Sequence, residues 1–156
     1  VVLFLDEPTT GVDPVSRKEF WEMLGRLKKE GISIVVSTPY MDEASLCDRI
    51  ALIQDGEFLK IDTPENITKE FQNVLWSVRS NNMLALLRDL RSHENIKSCF
   101  AFGENHHVTI DIKNGFDMQQ LKAFIDKKGH QEVEVALIRA NIEDCFMELT
   151  HKQDPE

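Results

Sequence analysis

At 156 residues with 42% hydrophobic side chains, the chain is long enough for one or two small domains with real cores. Its net charge of −9 excludes the electrostatic footprint of a nucleic-acid or anionic-lipid binder. No apolar run approaches the ~18–20 residues that span a bilayer, no signal peptide is recognisable, and Cys47, Cys99 and Cys145 are odd in number and widely spaced, so they read as buried thiols of a reducing compartment.

Val1 to Leu5 form an unbroken apolar run, expected as a strand buried on both faces in a parallel sheet. Asp6 and Glu7 end it, and Pro8 stops the strand. Ligands of open α/β sheets sit beyond the carboxyl ends of the strands. A carboxylate there can hold Mg²⁺ directly or through water, and its neighbour can orient or deprotonate an attacking water. Taken alone, two acids after an apolar run are more often plain strand punctuation. Asp13 is a good helix N-cap, with Pro14 at the first helical position.

Phe20, Met23, Leu24 and Leu27 recur at helical spacing between Pro14 and Glu30, with Lys28 and Lys29 at the negative end of the dipole and Gly31 as terminator. Ile32 to Ser37 is a second buried strand, so strand, helix and strand imply a βαβ crossover. After Thr38-Pro39-Tyr40 comes a short helix through Cys47. Arg49 to Gln54 and Glu57 to Asp62 flank Asp55-Gly56, a strong hairpin signal. Thr63-Pro64-Glu65 caps a helix to about Phe71.

The string LFLDEPTTGVDP resembles the ATP-binding subunits of ABC transporters, and CDRIALIQDGEFLKIDTPENI resembles the last third of the same ATPase domain. The resemblance implies the C-terminal part of a P-loop NTPase domain over residues 1–72. Val2 to Glu7 is then the Walker B strand, with Asp6 in the Mg²⁺-associated position and Glu7 in that of the catalytic glutamate. Thr10 to Asp13 is the D-loop, through which Asp13 couples to a second ATPase subunit. Pro39 takes the position of the switch histidine, which normally touches the γ-phosphate of ATP, and it departs from the family there. Val1 is not an initiator residue and no G-x-x-x-x-G-K-S/T string occurs, so the sequence reads as a piece of a longer protein whose phosphate-binding loop, glutamine loop and signature motif lie upstream.

From Asn73 the pattern changes. Val74 to Arg79 is strand-like, and Met83, Leu87 and Leu90 mark a helix. Ile96, Ser98, Phe100 and Phe102 alternate with Lys97, Cys99 and Ala101, with Phe100 and Phe102 expected in the core. Val108, Ile110 and Ile112 alternate on the returning strand. Met118, Leu121 and Ile125 define another helix, and Val133, Val135 and Leu137 a fourth strand. The order β-α-β-β-α-β is the ferredoxin-like plan, an α+β arrangement. A last helix capped by Asn141 carries Ile142, Phe146 and Leu149 on one face, and the tail from Lys152 is expected to fray. Residues 73–156 resemble the accessory domain that follows the ATPase domain in some bacterial ABC exporters.

RNA recognition, another use of the ferredoxin-like plan, is disfavoured. The strand from His107 to Ile112 lacks an aromatic, and acidic residues outnumber basic ones after residue 72. Adjacent His106 and His107 point to opposite faces of a strand and cannot easily share a metal, so a hairpin-edge role is expected. The reading is thus an ATP-hydrolysing, Mg²⁺-dependent subunit of a bacterial ABC exporter. As the family implies, it is cytoplasmic, dimeric and docked on a separate membrane permease, with no nucleic-acid partner. The rivals are a soluble ABC-type ATPase of repair or translation, and a non-catalytic C-terminal assembly or effector-binding module.

Overall fold

The computed structural model of the chain describes the backbone of residues 1–111 and 115–153, and within these the side chains as far as His151. The expected alternation at Ile112 and the tail from Lys152 lie outside the described side chains. The fold is mixed α/β. Among the described residues no helix is long and apolar enough to cross a membrane.

Strand β1 (Val2–Asp6) runs parallel to β2 (Ser33–Ser37), joined through helix α1 (Pro14–Lys29). Asp13 starts α1 as expected: its Oδ1 accepts from the amides of Val15 at 3.0 Å and Ser16 at 3.1 Å. Gly31 ends it at φ 87°, a left-handed conformation costly for other residues. Burial of β1 on both faces does not hold. Val2 is 54% and Phe4 74% exposed, because the sheet has only two strands and α1 covers one face.

A four-residue helix α2 (Met41–Ala44) follows, shorter than the sequence suggests. Strands β3 (Ile50–Gln54) and β4 (Glu57–Asp62) form the expected hairpin, with Asp55 and Gly56 both at positive φ, as a tight two-residue turn demands. Thr63 and Pro64 then open α3 (Pro64–Lys69), the Thr63 hydroxyl accepting from the Asn66 amide.

The remaining elements are β5 (Leu75–Arg79), α4 (Met83–Arg91), β6 (Ile96–Phe102), β7 (Asn105–Ile110), α5 (Met118–Lys127), β8 (Glu134–Ile138) and α6 (Ile142–Gln153). The four strands make one antiparallel sheet in the order β6-β7-β5-β8. Trp76, Val78, Cys99, Val108 and Ile110 from the sheet pack with Leu86 and Leu90 of α4 and Leu121 and Ile125 of α5.

Five side chains in this sheet lie where the sequence pattern does not put them. A register shift between Ile96 and Ser98 lets both Ile96 and Cys99 meet the helices, so Phe100 and Phe102 lie half-buried on the other side. Leu137 is 67% exposed because β8 is an edge strand. His106 and His107 sit on the internal strand β7, not at an edge. His106 is buried and donates through Nε2 to the Met83 carbonyl at 2.7 Å. His107, on the opposite face, stacks on Phe102 and bonds Asp144 at 2.7 Å through Nδ1.

Helix α6 crosses between the regions. Asn141 and Asp144 cap it reciprocally, each side chain accepting from the other's amide at 2.9 Å. Its Ile142 and Cys145 pack with Ile50, Leu52 and Ile67 to build a second core, with Met41, Phe71, Phe146 and Leu149 around it. Its other contacts reach the sheet, through Asp144 to His107 and Glu148 to Asn73.

Candidate functional site

The site gathers where β1 and β2 end side by side. The last pair in register is Asp6 opposite Ser37, and the Ser37 hydroxyl donates to Asp6 Oδ1. Glu7 turns away from the strand at φ 43°, a left-handed conformation that costs a non-glycine residue about 1–2 kcal/mol. Two bonds hold that turn: the Glu7 amide donates to the Ser37 carbonyl at 3.1 Å and to its hydroxyl at 2.9 Å. The Glu7 carboxylate accepts from the Thr10 hydroxyl at 3.2 Å. Asp6 and Glu7 are both exposed, as groups that meet a ligand must be.

Asp13 lies farther along the same connection, and its carboxyl is committed to the α1 cap. Hydrogen bonds from Ser16 are the main reason that its pKa is lowered. Pro39 is exposed and follows directly on β2 and Thr38. It has neither a side-chain donor nor a backbone N–H. The structure therefore brings Asp6 and Glu7 together with the end of β2, while Asp13 belongs to the start of α1.

A second carboxylate was not singled out from the sequence. Glu43 on α2 is 2% exposed and accepts hydrogen bonds from three side chains. Thr9 Oγ1 lies 2.7 and 2.9 Å from its two oxygens, Thr38 Oγ1 donates at 2.7 Å, and Arg17 Nε donates at 2.9 Å. Arg17 also reaches Asp42 at 3.2 Å and lies over the Tyr40 ring, 4.5 Å from its centroid. Burial alone raises the Glu43 pKa, but the surrounding donors, led by Thr38 and Thr9, outweigh it and hold the carboxyl below its usual value. The Trp21 indole adds to that effect, although its buried Nε1 makes no well-formed hydrogen bond among the described residues. The available signal was spacing: Glu43 sits three after Tyr40 and four before Cys47, on the inward stripe of α2.

Cys99 and Cys145 are buried as expected, whereas Cys47 is half-buried. Burial pushes Cys99 and Cys145 up to about 12, far from a reactive thiolate.

No family model matches the chain. Individual relatives do. The chain is 43% identical over 72 residues to the probable multidrug ABC transporter ATP-binding protein YbhF of Escherichia coli K12, a match covering 46% of the chain. It is 31% identical over 163 residues to the daunorubicin/doxorubicin resistance ATP-binding protein DrrA of Streptomyces peucetius, covering 96% of the chain. The chain belongs to the ABC transporter ATP-binding family. The phospholipid-transporting ATPase ABCA3 of Rattus norvegicus is a more distant relative, 28% identical across 99% of the chain. The chain spans 46% of DrrA, 12% of YbhF and 10% of ABCA3.

ATP-binding proteins of this family use ATP with Mg²⁺ in general. Among the described residues no group of three or more His, Cys, Asp or Glu side chains could hold a metal unaided. A single exposed Asp6 beside a serine hydroxyl fits a magnesium ion that keeps its waters and takes its remaining ligands from phosphate.

Proposed function

We propose that the chain is part of the ATP-hydrolysing subunit of a bacterial ABC exporter, working as a dimer at the inner face of the membrane and driving a separate permease. Asp6 would hold the ion through water, and Glu7 would take the proton of the attacking water. Asp13 would fix the D-loop that meets the second ATPase subunit. When bound, Mg²⁺ would neutralise charge on the transferring phosphate. The observation that carries this reading is the junction of Asp6, Glu7 and Ser37: two adjacent carboxylates, aimed and exposed at the carboxyl end of a parallel strand pair. The multidrug name of YbhF and the drug-resistance name of DrrA favour export.

Residues 1–72 are the ATPase portion in this reading and residues 73–156 a ferredoxin-like accessory domain. The strand order β6-β7-β5-β8 with two crossing helices supports that plan. The chain alone is proposed to be inactive, because its acids can only assist phosphates that backbone amides and a lysine already cradle. Calorimetry at millimolar ATP should then show no saturable heat, and micromolar binding by the chain would refute this.

The deciding experiment is Glu7→Gln in the full-length subunit. ATP binding should persist while turnover falls on the order of 10²–10⁴-fold, the usual worth of a general base. Wild-type turnover in the variant would remove Glu7 from that role.

Pro39 makes this a slow site. The nearest substitute donor is engaged, since the single hydrogen of the Thr38 hydroxyl goes to Glu43, and the Tyr40 ring is packed against Arg17. A donor to transition-state charge is worth roughly 10²–10³ in rate. Pro39→His should therefore raise turnover about tenfold or more, whereas an unchanged rate would mean another donor acts there.

A further inference from the structure

We propose that Glu43 is a positioning residue that locks the loop after β1 to the loop after β2, so that Glu7 and Pro39 keep a fixed separation through the catalytic cycle. The proposal rests on the reading of Asp6 and Glu7 as the ATP-facing acids.

Consider what each bond joins. Thr9 is two residues beyond Glu7 and only 1% exposed, and its hydroxyl is spent on Glu43. Thr38 immediately precedes Pro39. Its hydroxyl donates to the same carboxylate and accepts from the Tyr40 amide at 3.1 Å, which fixes the backbone on both sides of the proline. Arg17 brings in the first turn of α1, the helix that Asp13 caps. One buried anion therefore ties together the segment carrying the base, the switch segment and the start of the D-loop helix.

Three donor hydrogens reach the Glu43 carboxylate, from Thr9, Thr38 and Arg17, and the Thr9 hydroxyl lies within reach of both oxygens. A buried charge is tolerated only when so satisfied, and removing one donor leaves the remainder strained. Movement of either loop would break bonds at Glu43, so the two loops move together or not at all. Neither Thr9 nor Thr38 faces the phosphates in this role; both act through Glu7 and Pro39.

Two measurements test this. In the chain itself, Thr9→Val should shift the Thr38 and Tyr40 amide resonances, and Thr38→Val those of Glu7 and Thr10, with both effects abolished in a Glu43→Gln background. Shifts confined to the mutated loop would overturn the coupling, and because each valine variant removes one hydroxyl only, it keeps the Glu43–Arg17 pair and the fold. In the full-length subunit, Thr9→Val and Thr38→Val should each lower kcat about tenfold with the KM for ATP within about threefold, and the double variant should be no worse than either alone. Strictly additive losses, or unchanged kcat, would overturn the positioning role. A wild-type subunit without ATPase activity, in a chain whose amides are coupled as described, would instead refute the ATP-site reading on which that role depends.

Discussion

The four-stranded sheet and the strand pairs before it solve burial in opposite ways. Around β5 to β8 the core is closed: Leu86, Leu90, Leu121 and Ile125 are each fully buried within one cluster. Around β1 to β4 apolar side chains stay in the open, with Phe4, Ile53 and Phe58 all more than half exposed. The small core there is completed by Ile142 and Cys145 of α6, from the far end of the chain. The region with the candidate site has its acids on open strand ends and shares its core with a helix from the far end of the chain. The region without it holds most of the sealed apolar volume.

The sharpest way to break that contrast is in the closed core. Leu86→Ala should cost about 2–5 kcal/mol by lost burial and cavity formation, read from urea melts. Ile142→Ala should cost somewhat less, about 2–4 kcal/mol, yet act on the other region. The two tryptophans separate these effects, since Trp21 lies on α1 and Trp76 on β5. In a Trp76→Phe background, Ile142→Ala should lower the midpoint reported by Trp21. If Trp21 keeps its midpoint, α6 does not support that region.

Asp144→Ala removes the acceptor of the Asn141 amide, one half of the reciprocal cap of α6, together with the partner of His107, and about 1–2 kcal/mol should go with them. Hydrogen exchange would localise the loss to the first turns of α6. A smaller, pH-dependent term comes from Glu43. Its pKa is lowered in the fold, so the stability it contributes is present above the ordinary value of 4.5 and is lost as pH falls through the folded value. Comparing wild type with Glu43→Gln by thermal melts, the gap should be wide at pH 7 and narrow in acid. The smallest effect belongs to the open face: Phe4→Ser should change the stability of this chain by less than about 0.5 kcal/mol, because little apolar area leaves solvent there.

Local chemistry made much of this readable from sequence. The Asp13-Pro14 helix start, the Asp55-Gly56 turn and the Asn141 cap each depend on two or three neighbouring residues, and each stands where the sequence puts it. The end of β1 at Asp6 is readable for the same reason, as an apolar run closed by two acids and a proline, whereas the roles given to Asp6 and Glu7 rest on the resemblance of the longer string around them. What could not be read depends on residues far apart. Glu43 becomes a hub only because Thr9, 34 positions away, folds against it. The bulge after Ile96 reverses which of Cys99 and Phe100 faces the helices, and no alternation pattern reveals a single inserted residue. The division expected at residue 72 rests on a change of pattern alone, and side-chain periodicity in α6 does not say whose core its apolar face will fill.

The placement of α6 also sets an order of events in biosynthesis. Ile67 and Cys145 are 78 residues apart, yet the Cys145 thiol reaches the Ile67 carbonyl at 3.6 Å in the finished core. A ribosome adding about 5–20 residues per second needs roughly 4–16 s to cover that distance. Through that interval Ile50, Leu52 and Ile67 have been made but their cover has not, while the intervening sheet can close from its own residues. The nascent chain therefore exposes an apolar surface whose lifetime is set by translation speed, and slowing synthesis between codons 68 and 141 should increase chaperone capture or aggregation more than slowing it elsewhere.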